Sequence, residues 1–190
     1  TKQTHNIMKN LWLLLLIIGF FGSLIPSFLF ATAQTRIPSS IAGILNALTP
    51  LFTLIIGMSF FSQKTTPRTL AGIFIGFAGS MVLILSGSES GWSGINWYAL
   101  FVVCATIFYG ANLNIIKFQI EDLTSRAITS ISLLLVGPAA LVYLLGWTPF
   151  LDHVGSPEAA MPLLAIATLG IVGTAIALIL FNQLVKITSP

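Results

Sequence analysis

Charge is scarce in this sequence. Only 7% of its 190 residues are Asp, Glu, Lys or Arg, against roughly a quarter in a soluble domain. So few charges cannot clothe a water-facing surface, and the first class excluded is the soluble globular domain. The single cysteine, Cys104, excludes a disulfide within the chain and reads as a small packing residue in an apolar run. All five carboxylates, Glu89, Glu121, Asp122, Asp152 and Glu158, fall outside the apolar segments, as do both histidines, His5 and His153. Proton-coupled carriers often place an Asp, Glu or His inside the membrane, and none is visible there. Asp152 and His153 are adjacent, but nothing nearby completes a ligand set. No metal, no cofactor and no nucleic-acid partner are expected.

What is abundant is apolar sequence: 56% hydrophobic residues and a mean hydropathy of +0.98. Six runs stand out, at 11–33, 37–61, 69–86, 95–117, 127–147 and 161–184. Each approaches the ~20 residues that a helix needs to cross about 30 Å of hydrocarbon. They are long and lack strict alternation, which disfavours strands. The expected fold class is an all-α integral membrane protein, a polytopic helix bundle embedded in the lipid bilayer. The stretch from Met8 to Gln34 mimics a secretory signal and ends in "ATA". Its apolar core exceeds the usual 7–15 residues, so it is read as a span. Thr1 in place of Met leads to the expectation that the chain is a piece of a longer protein.

If the runs alternate sides, Lys2, Lys9, Lys64, Arg68, Lys117, Arg126 and Lys186 share one side and only Arg36 is on the other. The positive-inside rule makes the crowded side cytoplasmic. Trp92, Trp97 and Trp147 then cluster near the outer interface, as an aromatic belt does.

An internal repeat is visible. "GFFGSLIPSFLF" (19–30) and "GIVGTAIALILF" (170–181) match at an offset of 151, with Gly19/Gly170, Gly22/Gly173, Ile25/Ile176, Leu29/Leu180 and Phe30/Phe181 identical and Ser23/Thr174 similar. The copies lie in the first and sixth runs and are therefore inverted in the bilayer. Inverted repeats are a signature of secondary transporters. A period of five spans implies ten in all, of which the visible six are the third to the eighth.

The polar residues inside the runs are the candidates for a substrate pathway. In "IAGILNALTPLFTLIIG" (41–57), Ala42, Asn46, Thr49, Pro50, Thr53 and Gly57 share one helix face. Pro50 has no N–H, so the carbonyl of Asn46 loses its helical partner and the helix should bend. A freed carbonyl beside an amide and two hydroxyls makes a polar notch at mid-membrane. The competing interpretation is packing glue between helices. In "TIFYGANLNIIKF" (106–118), Tyr109 and Asn112 share a face and Asn114 points roughly opposite. Tyr109 and Asn112 are assigned to the pathway, and one of the two amides to a helix–helix contact. Asn182 and Gln183 lie near the cytoplasmic end of the last run, with Asn182 a candidate for lining. Gly72, Gly76 and Ser80 at four-residue spacing form a packing row. Gly137-Pro138 reads as a kink.

These motifs resemble the EamA-type branch of the drug/metabolite transporter superfamily. The closest stretch is "IPSSIAGILNALTPLFTLIIGMSFFSQKTTPRTLAGIFIGFAGSMVLIL" (37–85), with its small-residue helix start, mid-helix Pro50 and Gly-rich span after a short turn. "FATAQTRIP" and the final "GTAIALILFNQLVKITSP" are similar to equivalent segments of the two family repeats. The family usually carries a Glu where this chain has Gln63, so no role of that acid carries over. The resemblance implies ten spans in two inverted repeats, with 1–90 the end of the first repeat and 91–190 the start of the second. It also implies transport of small organic metabolites across a bacterial inner membrane, often as efflux. A homodimer is left open. The rival classes are a non-transporting assembly or scaffold protein and an intramembrane enzyme. The enzyme would need paired aspartates, a Ser/His or Ser/Lys arrangement, or a His/Glu metal motif inside the spans. No enzyme activity is expected.

Overall fold

A computed structural model describes residues 2–87, 97–120 and 123–187, the side chains of 2–10, 80, 83–87, 157 and 185–187 excepted. The described residues are helical and contain no strand. The α-helices are α1 (Lys2–Gly19), α2 (Ile25–Gln34), α3 (Ser39–Asn46), α4 (Thr49–Phe60), α5 (Pro67–Gly87), α6 (Ala99–Gln119), α7 (Ser125–Trp147), α8 (Phe150–Val154), α9 (Ala160–Thr168) and α10 (Ala177–Ile187). Two π-helical turns, Phe20–Leu24 and Leu169–Ile176, join α1 to α2 and α9 to α10.

Five helical stretches are long and apolar enough to cross a bilayer: Leu11–Gln34, Ser39–Phe60, Ala99–Gln119, Ser125–Trp147 and Ala160–Leu184. The protein is a multi-pass helical membrane protein. The remaining expected run, 69–86, falls within α5, whose last five side chains lie outside the described residues. Trp92 also lies outside them, whereas Trp97 and Trp147 are exposed.

The helix starts follow from local chemistry. Thr66 precedes Pro67, and its hydroxyl accepts from the Thr69 N–H at 3.3 Å, so a side-chain cap and a first-turn proline launch α5 together. Thr124 does the same for α7, accepting from the Ala127 N–H at 3.3 Å. The helix α7 continues as one element through Pro138.

The chain divides into two compact units, one of residues 1–19 and 120–190, the other of residues 20–119. The repeat boundary expected near residue 90 concerns sequence correspondence, and the packing units do not bear on it. In the second unit α6 is the central element, packed against α2, α3 and α4. Its apolar core is Ala33, Ile37, Ile41, Ala42 and Val102, with Phe30, Leu45 and Tyr98 against it. In the first unit α1 and α10 pack on α7, burying Leu15, Ile18, Ile128 and Val136. A Cβ on Gly19 would stand 2.6 Å from the Ser132 carbonyl oxygen, so α1 and α7 approach this closely only because residue 19 has no side chain.

Candidate functional site

A bend is expected at Pro50, and regular α-helix is interrupted one turn upstream of it. α3 ends at Asn46 and α4 begins at Thr49. Between them the chain tightens: the Ala47 N–H reaches Ile44 at 3.1 Å and the Leu48 N–H reaches Leu45 at 3.1 Å, bonds of the 3₁₀ type. The Asn46 carbonyl that Pro50 cannot serve is taken by the Thr49 hydroxyl at 2.8 Å, which also lies 3.3 Å from Asn46 Oδ1. The notch is therefore partly closed by its own neighbour. Asn46 and Pro50 are exposed and Thr49 is half-buried. The half-buried Thr53 hydroxyl donates back to the Thr49 carbonyl at 2.8 Å. The face expected to be continuous is divided by the break, with Ala42 buried before it and Gly57 after it.

The two amides of α6 separate as expected. Asn114 is the helix–helix contact: its Nδ2 donates to the Thr53 carbonyl and to the Gly110 carbonyl, both at 2.8 Å. The crossing of α4 and α6 is closest at Gly110, where a Cβ would stand 2.8 Å from Thr53 N and 3.0 Å from Phe52 C. Asn112, 8% exposed, faces the π-helical turn, its amide pressed against Gly22. Its Oδ1 is buried without a hydrogen-bond partner among the described residues. An enclosed acceptor in that condition carries a desolvation cost of about 1–3 kcal/mol. Around it the surroundings are aromatic: the rings of Tyr109 and Phe30 are 6.2 Å apart, and those of Phe21 and Phe108 meet edge-on at 4.9 Å. Asn46, Thr49, Pro50, Thr53, Tyr109 and Asn112 thus belong to one compact unit, although no hydrogen bond joins Asn46 to Asn112.

Asn182 belongs to the other unit. It is the only buried residue between Met161 and Leu184, and its Nδ2 donates to Thr129 Oγ1 at 2.8 Å. That bond ties α10 to α7, the glue role that polar side chains play between helices in lipid. Beside it Ser132 keeps a buried hydroxyl without a partner among the described residues. On α5, a Cβ on Gly72, Gly76 or Gly79 would meet nothing within 4 Å, so the expected packing row is uncovered by the described residues. The side chain of Ser80, the row's third member, lies outside them.

Sequence reasoning missed the π-helical turns. They occupy corresponding places in the two matching segments 19–30 and 170–181: 20–24 shifted by 151 is 171–175, inside Leu169–Ile176. Pro26 is not the shared cause, because Ala177 stands at its counterpart. What the copies share is Gly-x-x-Gly followed by a hydroxyl residue, Ser23 or Thr174. The Thr174 hydroxyl reaches the Leu169 carbonyl, five residues back, at 3.4 Å. π-turns are rare and frequent at functional sites, and the Gly-x-x-Gly-Ser/Thr pair was the available signal.

Comparison of the chain with curated proteins and with solved structures returns no significant match. Residues 2–85, which include the whole of the motif-bearing stretch 37–85, match the model of the EamA-like transporter family.

Proposed function

We propose that this chain is part of a secondary transporter that moves small organic metabolites across the bacterial cytoplasmic membrane by alternating access, in the direction of efflux. The observation that carries the reading is the family match over residues 2–85. The matched π-helical turns support the repeat on which alternating access depends. The broken span Ser39–Phe60, with Asn46, Thr49, Pro50 and Thr53 at its interruption, supplies irregular backbone of the kind membranes tolerate beside a cavity or protein. Tyr109 and Asn112, whose Oδ1 has no partner among the described residues, add an aromatic wall and a hydrogen-bonding group. Few such polar groups among apolar walls suffice for a small-molecule pocket. In this reading the residues bind and shape, and no intramembrane acid of this chain carries a proton. The chain works as a carrier and not as an enzyme.

The test is a metabolite comparison of cells overproducing the full protein with cells carrying Asn46→Ala or Asn112→Ala. The expected result is a set of small polar metabolites that accumulate in the medium on overproduction, with export falling about tenfold in the variants, the equivalent of one lost buried hydrogen bond. If no metabolite responds to the full protein, the transporter reading fails. If export persists unchanged in both variants, the assigned pathway is wrong.

A further inference from the structure

The orientation of Asn114 is fixed. Both hydrogens of its Nδ2 are used, on the carbonyls of Thr53 and Gly110. Reversing the amide would set Oδ1 against those two acceptors, so Oδ1 must point the other way. There it is buried, in a residue only 1% exposed, and has no hydrogen-bond partner among the described residues. It points toward Gly57: a Cβ on that glycine would stand 2.8 Å from Asn114 Oδ1, and it would also meet Oε1 of Gln63.

Gln63 is held there by the backbone. Ser62 takes a left-handed conformation, φ 52°, and this folds the chain so that the N–H of Gln63 returns to the Gly57 carbonyl at 3.0 Å, beside that of Phe61 at 3.1 Å. Two amide oxygens thus converge on one glycine with no donor between them. A half-turn of the Gln63 amide about its last side-chain bond exchanges Oε1 for Nε2 and supplies the donor. Amide ends are nearly isosteric, so the exchange keeps the shape of the side chain.

We propose that Gln63 is the partner of Asn114: its Nε2 donates to Asn114 Oδ1 and pins the turn between α4 and α5 onto α6. Gln63 is then a positioning residue. Through Asn114 it fixes the Thr53 end of the broken span, whichever face lines a pathway. Because a glutamine donates at every pH, the pin is independent of pH. A glutamate at the same place donates only while protonated, and its carboxylate faces Asn114 Oδ1 as a second acceptor.

That difference gives the test. The full protein, purified in detergent, is melted between pH 4 and pH 8 by tryptophan fluorescence, alongside Gln63→Glu, Gln63→Met and Thr65→Val. Gln63→Met is expected to melt about 2–4 °C below the parent at all pH values, the loss of one hydrogen bond in a chain of this size. For Gln63→Glu the protonated form makes the bond, so the folded pKa is raised above the unfolded value of about 4.3. Its stabilisation is present below that value and is lost as pH rises through the folded pKa. The gap from the parent is therefore small at pH 4 and widens towards pH 8. The helices α2, α3 and α4 carry no titratable side chain. The charged groups of the turn, α5 and α6 are Lys64, Arg68 and Lys117, and Cys104 and Tyr109 on α6 are the other titratable groups of these elements. All are shared with the parent, so they cancel in the difference. A Gln63→Glu gap that stays flat, or that grows as pH falls, overturns the proposal. So does a Gln63→Met protein that melts with the parent. Thr65, whose hydroxyl is also buried without a partner among the described residues, is the rival donor. A Thr65→Val protein that shows the loss in place of Gln63→Met would assign the bond to Thr65 and overturn the assignment to Gln63.

Discussion

Gly110 and Gly72 both lie inside long helices, yet they sit in opposite surroundings. At Gly110 a Cβ would press on the backbone of Phe52 and Thr53, at 3.0 and 2.8 Å, whereas at Gly72 it would meet nothing within 4 Å. Backbone cannot rotate out of the way as a side chain can, so Gly110→Ala must push α4 off α6 and stretch the Asn114–Thr53 bond. Overpacking of this kind costs about 1–3 kcal/mol. Gly72→Ala adds only helix propensity, worth up to about 1 kcal/mol in its favour. Thermal melts of the purified protein should show Gly110→Ala clearly below the parent and Gly72→Ala at or above it. A loss at Gly72 equal to that at Gly110 would mean that the α5 row is covered in the assembled protein. The sequence presents these glycines alike, since four-residue spacing of small residues says which faces admit a close approach, not which are used. The same limit applied to the amides. Periodicity set Asn112 and Asn114 on different faces of α6, but only the packing of α4 decides that Asn114 meets Thr53. For Pro50 the missing N–H leads to an expected bend, and the span is interrupted one turn before it. The fate of the freed carbonyl depends on one Thr49 torsion, which leaves no trace in an apolar pattern.

At the scale of elements, the first π-helical turn packs on α6 with Phe21 edge-on to Phe108 and the Asn112 amide against Gly22. A methyl on residue 22 has no room unless that amide withdraws. Gly22→Ala is therefore expected to destabilise the protein by about 1–3 kcal/mol, and Asn112→Ala in the same chain should restore much of the loss by vacating the space. A double-mutant cycle on melting temperatures reads this coupling directly. Additive effects would show that Gly22 and Asn112 do not touch. Helix existence was legible here because composition alone demands spans of about 20 residues. The five spans among the described residues fall close to the apolar runs. The likeness of 19–30 to 170–181 was legible as paired glycines and hydroxyls. The π backbone was not, because one extra residue per turn leaves a run of apolar side chains looking the same.

At the scale of the whole molecule, the distribution of charge makes the sharpest statement. Of the 8 Lys and Arg residues, all but Arg36 lie on one side if the six runs alternate. Adding or removing one span midway would scatter the cations between both sides, so the bias tests the span count and the orientation together. Two exposed residues report on it, Lys64 in the turn after α4 and His153 in α8. In a Cys104→Ser background, cysteine at position 153 should react with a membrane-impermeant maleimide in intact cells. Cysteine at position 64 should react only after the membrane is opened. Labelling of both from outside would place an odd number of additional crossings, or a re-entrant segment, between residues 64 and 153. Labelling at 64 alone would invert the orientation and with it the proposed direction of transport. Cys104 is exposed on α6 within a bilayer-length apolar helix, so in the parent chain it should resist the aqueous reagent on either side.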